Sequence, residues 1–76
     1  MKIWVIEFFN QENKNPCGSD WTKIIHDLKT LKGVINRIDR QFKPSQAIKA
    51  DIYTTFNIYD RESYNLVRSI LLINKE

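Results

Sequence analysis

The chain has 76 residues, a formal charge of +3 and a single cysteine. Two hydrophobic cores would leave roughly 40 residues for each, too few to fold without disulfides, metals or a partner, so we expect one domain over residues 1–76. One cysteine excludes an intrachain disulfide, and no apolar run approaches the ~20 residues of a membrane span, so we expect a cytoplasmic protein that does not contact a membrane.

The first predicted element is a strand over residues 2–9, KIWVIEFF, because this run is dense in β-branched and aromatic residues and too short for a comfortable helix. Residues 10–20, NQENKNPCGSD, combine Asn, Pro, Gly, Ser and Asp. These residues favour turns through fixed or positive φ and through local hydrogen bonds. We therefore predict a loop in which Cys17 is exposed.

Residues 21–42 have two interpretations. In the first, Asp20 caps one long helix that begins at Trp21. In the second, residues 21–27, WTKIIHD, form a strand paired with the first one, and the helix begins near Asp27 or Thr30. We favour the second, because Trp, Thr and two consecutive Ile are good strand residues and poor helix starters.

Both interpretations predict a helix from about residue 30 to 42, which Pro44 ends. Its core-facing residues are Leu31, Ile35, Ile38 and Phe42. The opposite side carries a basic stripe, which consists of Lys29, Lys32, Arg40 and Lys43. Residues 29–49 contain six basic residues and one acidic residue. This asymmetry is typical either of an anionic partner, phosphate or acidic protein, or of a solvated helix face.

Residues 48–59 and 64–73 read as two strands joined by a four-residue loop, residues 60–63. Pairing Tyr59 with Tyr64 sets the predicted register. One face then points to the helix and holds Ala50, Ile52, Thr54, Phe56, Ile58, Asn65, Val67, Ser69, Leu71 and Ile73. The other face holds Tyr53, Thr55, Asn57, Tyr59, Tyr64, Leu66, Arg68, Ile70 and Leu72.

This second face is too aromatic and aliphatic for a face that is open only to water. One helix of about four turns covers one face of a small sheet, and large exposed apolar areas usually mark interaction sites. Tyr and Arg are enriched at binding hot spots. We therefore expect a partner on this face, centred on Tyr53, Tyr59, Tyr64, Leu66, Arg68 and Ile70. The alternative is that residues 10–20 or a chain end fold over it.

No residue pattern indicates catalysis or cofactor binding. Cys17 and His26 lack a Gly-rich loop or an oxyanion device beside them, and one Cys with one His cannot complete a closed zinc site. Gly18 and Gly33 form no phosphate-binding motif. We expect a protein that is not an enzyme and binds no metal or cofactor.

The predicted fold is therefore α+β: a small antiparallel sheet of three or four strands, in the order ββαββ or βαββ, with one amphipathic helix on one face. The opening strand MKIWVIEFF and the helix-to-hairpin run, TLKGVINRIDRQF to FNIYDRESYNLV, resemble those of small phage-encoded accessory proteins. Within that group, the chain resembles the anti-defence inhibitors of the anti-CRISPR kind. The resemblance implies a protein that occupies a surface of a larger host nucleoprotein machine.

The leading expectation is non-enzymatic binding to a protein or nucleoprotein target, with the aromatic sheet face as anchor and the basic stripe as a steering surface. A second expectation is single-stranded nucleic-acid binding, in which tyrosines stack on bases while Arg68 and lysines bind phosphates. A third is a homodimer that buries two such faces. The sequence does not identify the target.

Overall fold

The computed structural model describes residues 2–16, 21–42 and 46–72, with the side chains of residues 41 and 42 left out of the description. Its elements are the strands β1 (Ile3–Phe9) and β2 (Thr22–Ile25), the helix α1 (Leu31–Arg37), and the strands β3 (Lys49–Thr55) and β4 (Asn65–Leu71). The strands form one antiparallel sheet in the order β2-β1-β3-β4. The predicted α+β class is confirmed, with ββαββ as the chain order.

The strand β1 lies in the middle of the sheet between β2 and β3. Its residues Trp4, Ile6 and Phe8 point to the helix side and are almost fully buried. In the register, Ile6 lies opposite Ile52 and Phe8 lies opposite Ala50, so β3 extends the same apolar face. The many β-branched and aromatic side chains of β1 thus belong to a strand whose backbone is paired on both sides.

The short strand β2 decides between the two interpretations of residues 21–42. Ile25 pairs with Trp4 and is buried in the core, while Ile24 pairs with Val5 and is 45 % exposed. The favoured interpretation, a strand followed by a separate helix, is confirmed, and the single long helix is wrong. Burial of Ile25 against β1 agrees with the strand preference of the consecutive isoleucines.

The helix α1 begins at Thr30, one of the two predicted caps, whose hydroxyl accepts a hydrogen bond from the backbone N–H of Gly33 at 3.2 Å. A π-helical segment, Ile38–Phe42, continues it. Val34 and Ile38 are completely buried, and Leu31 and Ile35 pack against the same core. The predicted core-facing positions are confirmed for Leu31, Ile35 and Ile38. Val34 also faces the core, although the prediction did not include it. The side chain of Phe42, together with Cys17, Asp20, Lys43 and Pro44, lies outside the description.

The connection between β3 and β4 is longer than predicted. It spans residues 56–64 and contains a 3-10 turn, Arg61–Ser63, so the predicted Tyr59–Tyr64 pair does not exist. Short polar side chains bind its backbone: Asn57 accepts from the N–H of Tyr59 at 3.0 Å, and Asp60 accepts from that of Glu62 at 3.2 Å. Such local bonds compete with the ladder of a hairpin, which explains why β3 ends early.

A β-bulge changes which residues of β4 face the helix. Ile52 lies opposite Arg68 whereas Tyr53 lies opposite Leu66, so Val67 is an extra residue in β4. From Arg68 onward, each side chain of β4 therefore lies on the face opposite to the predicted one.

The predicted faces of the hairpin are therefore partly wrong. Ala50 and Ile52 are core residues as predicted, but the predicted core residues Phe56, Val67 and Leu71 are exposed. Three residues predicted on the other face lie on the helix side instead. Ile70 packs against the core, Leu72 is part of the core, and Arg68 lies opposite Ile52. Tyr53, Tyr64 and Leu66 lie on the helix-free face as predicted. Ile73 lies outside the described residues.

Candidate interaction surface

The helix-free face of the sheet is partly covered by the chain itself. Residues 56–64, which we call the strap, connect β3 to β4 and send Arg61 across the face to β1. There the guanidinium of Arg61 donates to the carboxylate of Glu7 at 2.9 Å. The predicted alternative named residues 10–20 or a chain end as the cover, whereas the segment found is the strap.

One aromatic pair joins the strap to this face, and two further contacts order the strap itself. The rings of Tyr53 and Tyr64 lie 5.7 Å apart, and the guanidinium of Arg61 lies 5.0 Å from the centre of the Tyr64 ring. The Tyr64 hydroxyl donates to the carbonyl oxygen of Ile58 at 2.7 Å. Val5, beside Tyr53 on the helix-free face, is only 1 % exposed. The centre of this face is therefore a second packed layer.

Two ionisable groups at these contacts and one elsewhere have shifted pKa values. Burial raises the pKa of Tyr53, and the nearby carboxylates of Glu7 and Asp51 raise it further. The hydrogen bond to Glu7 raises the pKa of Arg61, a group that is charged in any case. On the opposite side of the molecule, the hydrogen bond from Arg37 lowers the pKa of Asp27. The first two shifts reflect a cluster that is satisfied internally.

The apolar surface that stays open belongs to the strap and β4. Among the described side chains, seven large hydrophobic ones are exposed, and five of them lie between residues 56 and 71. We call these five the β4 patch: Phe56, Tyr59, Leu66, Val67 and Leu71. Phe56 and Tyr59 are 74 % and 89 % exposed. Five exposed large apolar side chains within one edge strand and the segment that leads to it are typical of an interaction site.

The backbone of β4 adds to this surface because β4 is an edge strand. The N–H of Leu72 donates to the carbonyl oxygen of Ile48 at 2.7 Å, so Leu72 directs its backbone groups toward β3. Alternate residues of an antiparallel strand direct these groups to opposite sides. Ser69 and Leu71 therefore present their N–H and C=O groups at the open edge, next to the apolar side chains.

The described members of the predicted basic stripe lie on the surface. Lys29, Lys32 and Arg40 are exposed, and Lys43 lies outside the described residues. Arg37, between them in the chain, binds the carboxylate of Asp27 through both terminal nitrogens, at 2.8 and 3.2 Å. This pair fastens α1 to the segment that follows β2.

The structure thus places the predicted partner-binding residues of the hairpin in different environments. Tyr59 and Leu66 are exposed and belong to the β4 patch, whereas Tyr53 of β3 and Tyr64 at the end of the strap are half-buried against each other. Arg68 is exposed on the helix side, and Ile70 packs against the core.

Sequence reasoning missed Phe56, Val67 and Leu71 as surface residues. One signal was available, since Asn57 and Asp60 are strong turn residues that could have shortened the predicted β3. No residue pattern marks the bulge at Val67.

Within the described ranges, no group of three or more His, Cys, Asp or Glu residues is placed to hold a metal ion. Every buried side-chain nitrogen or oxygen in that part of the chain has a hydrogen-bond partner. Of the helices in the described ranges, none combines the length and the apolar character needed to span a membrane.

Comparison with known proteins adds no family to this picture. No protein-family model matches the sequence, and neither a curated protein nor a solved structure matches the chain. The surface formed by the strap and β4 is therefore the candidate site.

Proposed function

We propose that this protein is a binding module without catalytic activity, which docks on a protein or nucleoprotein target through the β4 patch. The observation that carries the proposal is the combination of an open strand edge with five exposed large apolar side chains on β4 and the strap. Backbone groups at such an edge give affinity by strand addition, while apolar side chains beside them give specificity.

The composition of β4 supports this proposal. Natural edge strands are usually protected by charged residues, proline or a covering segment. In β4 the only charged residue is Arg68, and no proline interrupts Asn65–Leu71. Apart from Arg68, the bulge at Val67 is the one protective device that the described residues show along this strand. An edge left this open in a small domain is favourable for binding and a liability without a partner.

The exposed basic side chains supply the second element of the proposal. Lys29, Lys32 and Arg40 add positive charge outside the β4 patch, which accelerates encounter with an acidic protein or a nucleoprotein. The resemblance to small phage-encoded anti-defence proteins suggests that the target is a host assembly, in the cytoplasm of the cell where the protein acts. Occupying its surface would be the mode of action.

The second candidate function is self-association through the same edge, because two β4 edges can pair as readily as one edge and a foreign strand. Single-stranded nucleic-acid binding is less favoured. Tyr53 and Tyr64 contact each other, and the Tyr64 hydroxyl is bonded to Ile58, so these two rings are poor platforms for bases, and of the three tyrosines only Tyr59 stays open for stacking.

A matched pair of variants tests the proposal. Leu66→Ser with Leu71→Ser removes two exposed side chains of the β4 patch, and Ile24→Ser removes an exposed side chain at the opposite edge of the sheet. We expect a target captured by the native protein and by Ile24→Ser to be lost with the double variant, at unchanged melting temperature. Light scattering of the purified proteins distinguishes self-association.

Two results would count against the proposal. Capture of the same target by all three proteins would place the binding surface elsewhere. Binding of short oligonucleotides by the native protein, with affinity that falls steeply as salt rises, would favour the nucleic-acid function.

A further inference from the structure

A groove of about 410 Å³ lies at the corner of the sheet formed by the start of β1 and the end of β2, which are remote in strand order from β4. Six residues line it: Lys2, Trp4, His26, Asp27, Leu28 and Lys29. Its volume is in the range of small-molecule sites, which combine an apolar lining with a few polar groups. Neither the β4 patch nor the strap contributes to it.

The floor of the groove is fixed by a contact between β1 and the segment after β2. Trp4 is 5 % exposed, and its indole N–H donates to the carbonyl oxygen of Leu28 at 2.9 Å. This bond uses the hydrogen-bonding group of the indole and fastens Leu28 beside it. The apolar part of the groove is therefore formed before any ligand arrives.

The charges around the groove are unequal. Its only acidic residue, Asp27, is bound by Arg37 through both carboxylate oxygens, at 2.8 and 3.2 Å. Lys2, His26 and Lys29 are exposed, and the ion pairs found among the described residues include none of the three. The rim therefore offers two ammonium groups and an imidazole, while its one carboxylate is already compensated.

We propose that this groove binds a small organic oxyanion, a carboxylate or a phosphate monoester, whose apolar part packs against Trp4 and Leu28. Lys2 and Lys29 bind the anionic group by charge-assisted hydrogen bonds. This site is independent of the proposed binding through the β4 patch, since it lies at the other edge of the sheet.

The two tryptophan indole N–H signals make a direct test possible. Trp4 lies in the groove, while Trp21 packs against the core outside its lining and serves as an internal reference. Phenyl phosphate and benzoate are titrated into ¹⁵N-labelled protein at constant ionic strength, with benzyl alcohol as a neutral probe. We expect saturable shifts of the Trp4 indole signal and of the amides of residues 26–29, with the Trp21 indole signal unchanged.

Charge-matched variants complete the test. Lys2→Gln with Lys29→Gln should weaken binding about tenfold or more, because two charged donors are lost. Lys32→Gln with Arg40→Gln removes the same charge from exposed positions outside the groove lining and should leave binding unchanged. The tighter of the two probes identifies the class of anion. Shifts that do not saturate, equal binding of benzyl alcohol, or equal weakening in both double variants would overturn the proposal.

Discussion

The strands β1 and β4 each have seven residues, of which six are apolar in β1 and four in β4, yet their environments are opposite. Five consecutive residues of β1, from Trp4 to Phe8, are buried, whereas six of the seven residues of β4 are exposed. The difference comes from position. β1 is paired on both sides, with the helix on one face and the strap on the other, while β4 is paired on one side only. Apolar residues in a strand thus indicate burial only when the sheet surrounds them.

The largest expected difference in unfolding free energy is between alanine substitutions of two phenylalanines. Phe8 is completely buried in β1, and Phe56 is 74 % exposed at the start of the strap. We expect Phe8→Ala to cost about 3–5 kcal/mol of unfolding free energy through cavity formation, and Phe56→Ala less than about 0.5 kcal/mol. Urea denaturation of both variants measures the difference. A cost above about 2 kcal/mol for Phe56→Ala would mean that the strap packs this ring into the core.

Adjacent leucines test the bulge. Leu72 is 6 % exposed and belongs to the core, whereas Leu71 is 69 % exposed. We expect Leu72→Ala to destabilise by about 2–4 kcal/mol and Leu71→Ala by at most about 0.5 kcal/mol. Thermal melts and urea titrations of the two variants give the values. If the costs are reversed, the bulge at Val67 is absent and the regular hairpin register is correct.

We expect the contacts of the strap to contribute less to the free energy of unfolding. Arg61→Gln removes the bond to the buried carboxylate of Glu7, and Tyr64→Phe removes the bond to the Ile58 carbonyl oxygen. Each is expected to cost about 1 kcal/mol, a value limited for Arg61 by its solvent exposure. A double-mutant cycle with Glu7→Gln and Arg61→Gln measures the coupling across the face. Zero coupling would show that the Arg61–Glu7 pair does not hold the strap on this face.

The smallest effect is a pH dependence at the exposed Asp27–Arg37 pair. Because Arg37 lowers the pKa of Asp27 in the folded state, the pair stabilises the fold above the ordinary aspartate pKa. That stabilisation is lost as pH falls through the folded-state pKa. Unfolding curves of the native protein and of Asp27→Asn should therefore converge toward acid pH. A difference that persists in acid would mean that the side chain acts through packing or neutral hydrogen bonds.

The sequence was sufficient for the elements whose chemistry is local. β-branched and aromatic density predicted β1 and, against a helical alternative, β2, and the hydroxyl of Thr30 marked the start of α1. The helical spacing also predicted that Leu31, Ile35 and Ile38 face the core. In each case the residue type itself favours the observed backbone or face.

The surface of the hairpin depended on the tertiary structure. Alternation predicts the faces of a strand only when one face is polar, and residues 66–72 carry large apolar side chains on both: Leu66, Ile70 and Leu72 at even positions, Val67 and Leu71 at odd ones. Pairing of Ile70 with Ala50, the bulge at Val67 and the position of β4 at the sheet edge decided which of them are buried. The sequence alone therefore predicted a sheet with surplus apolar residues, and only long-range packing determined which of them remain available to a partner.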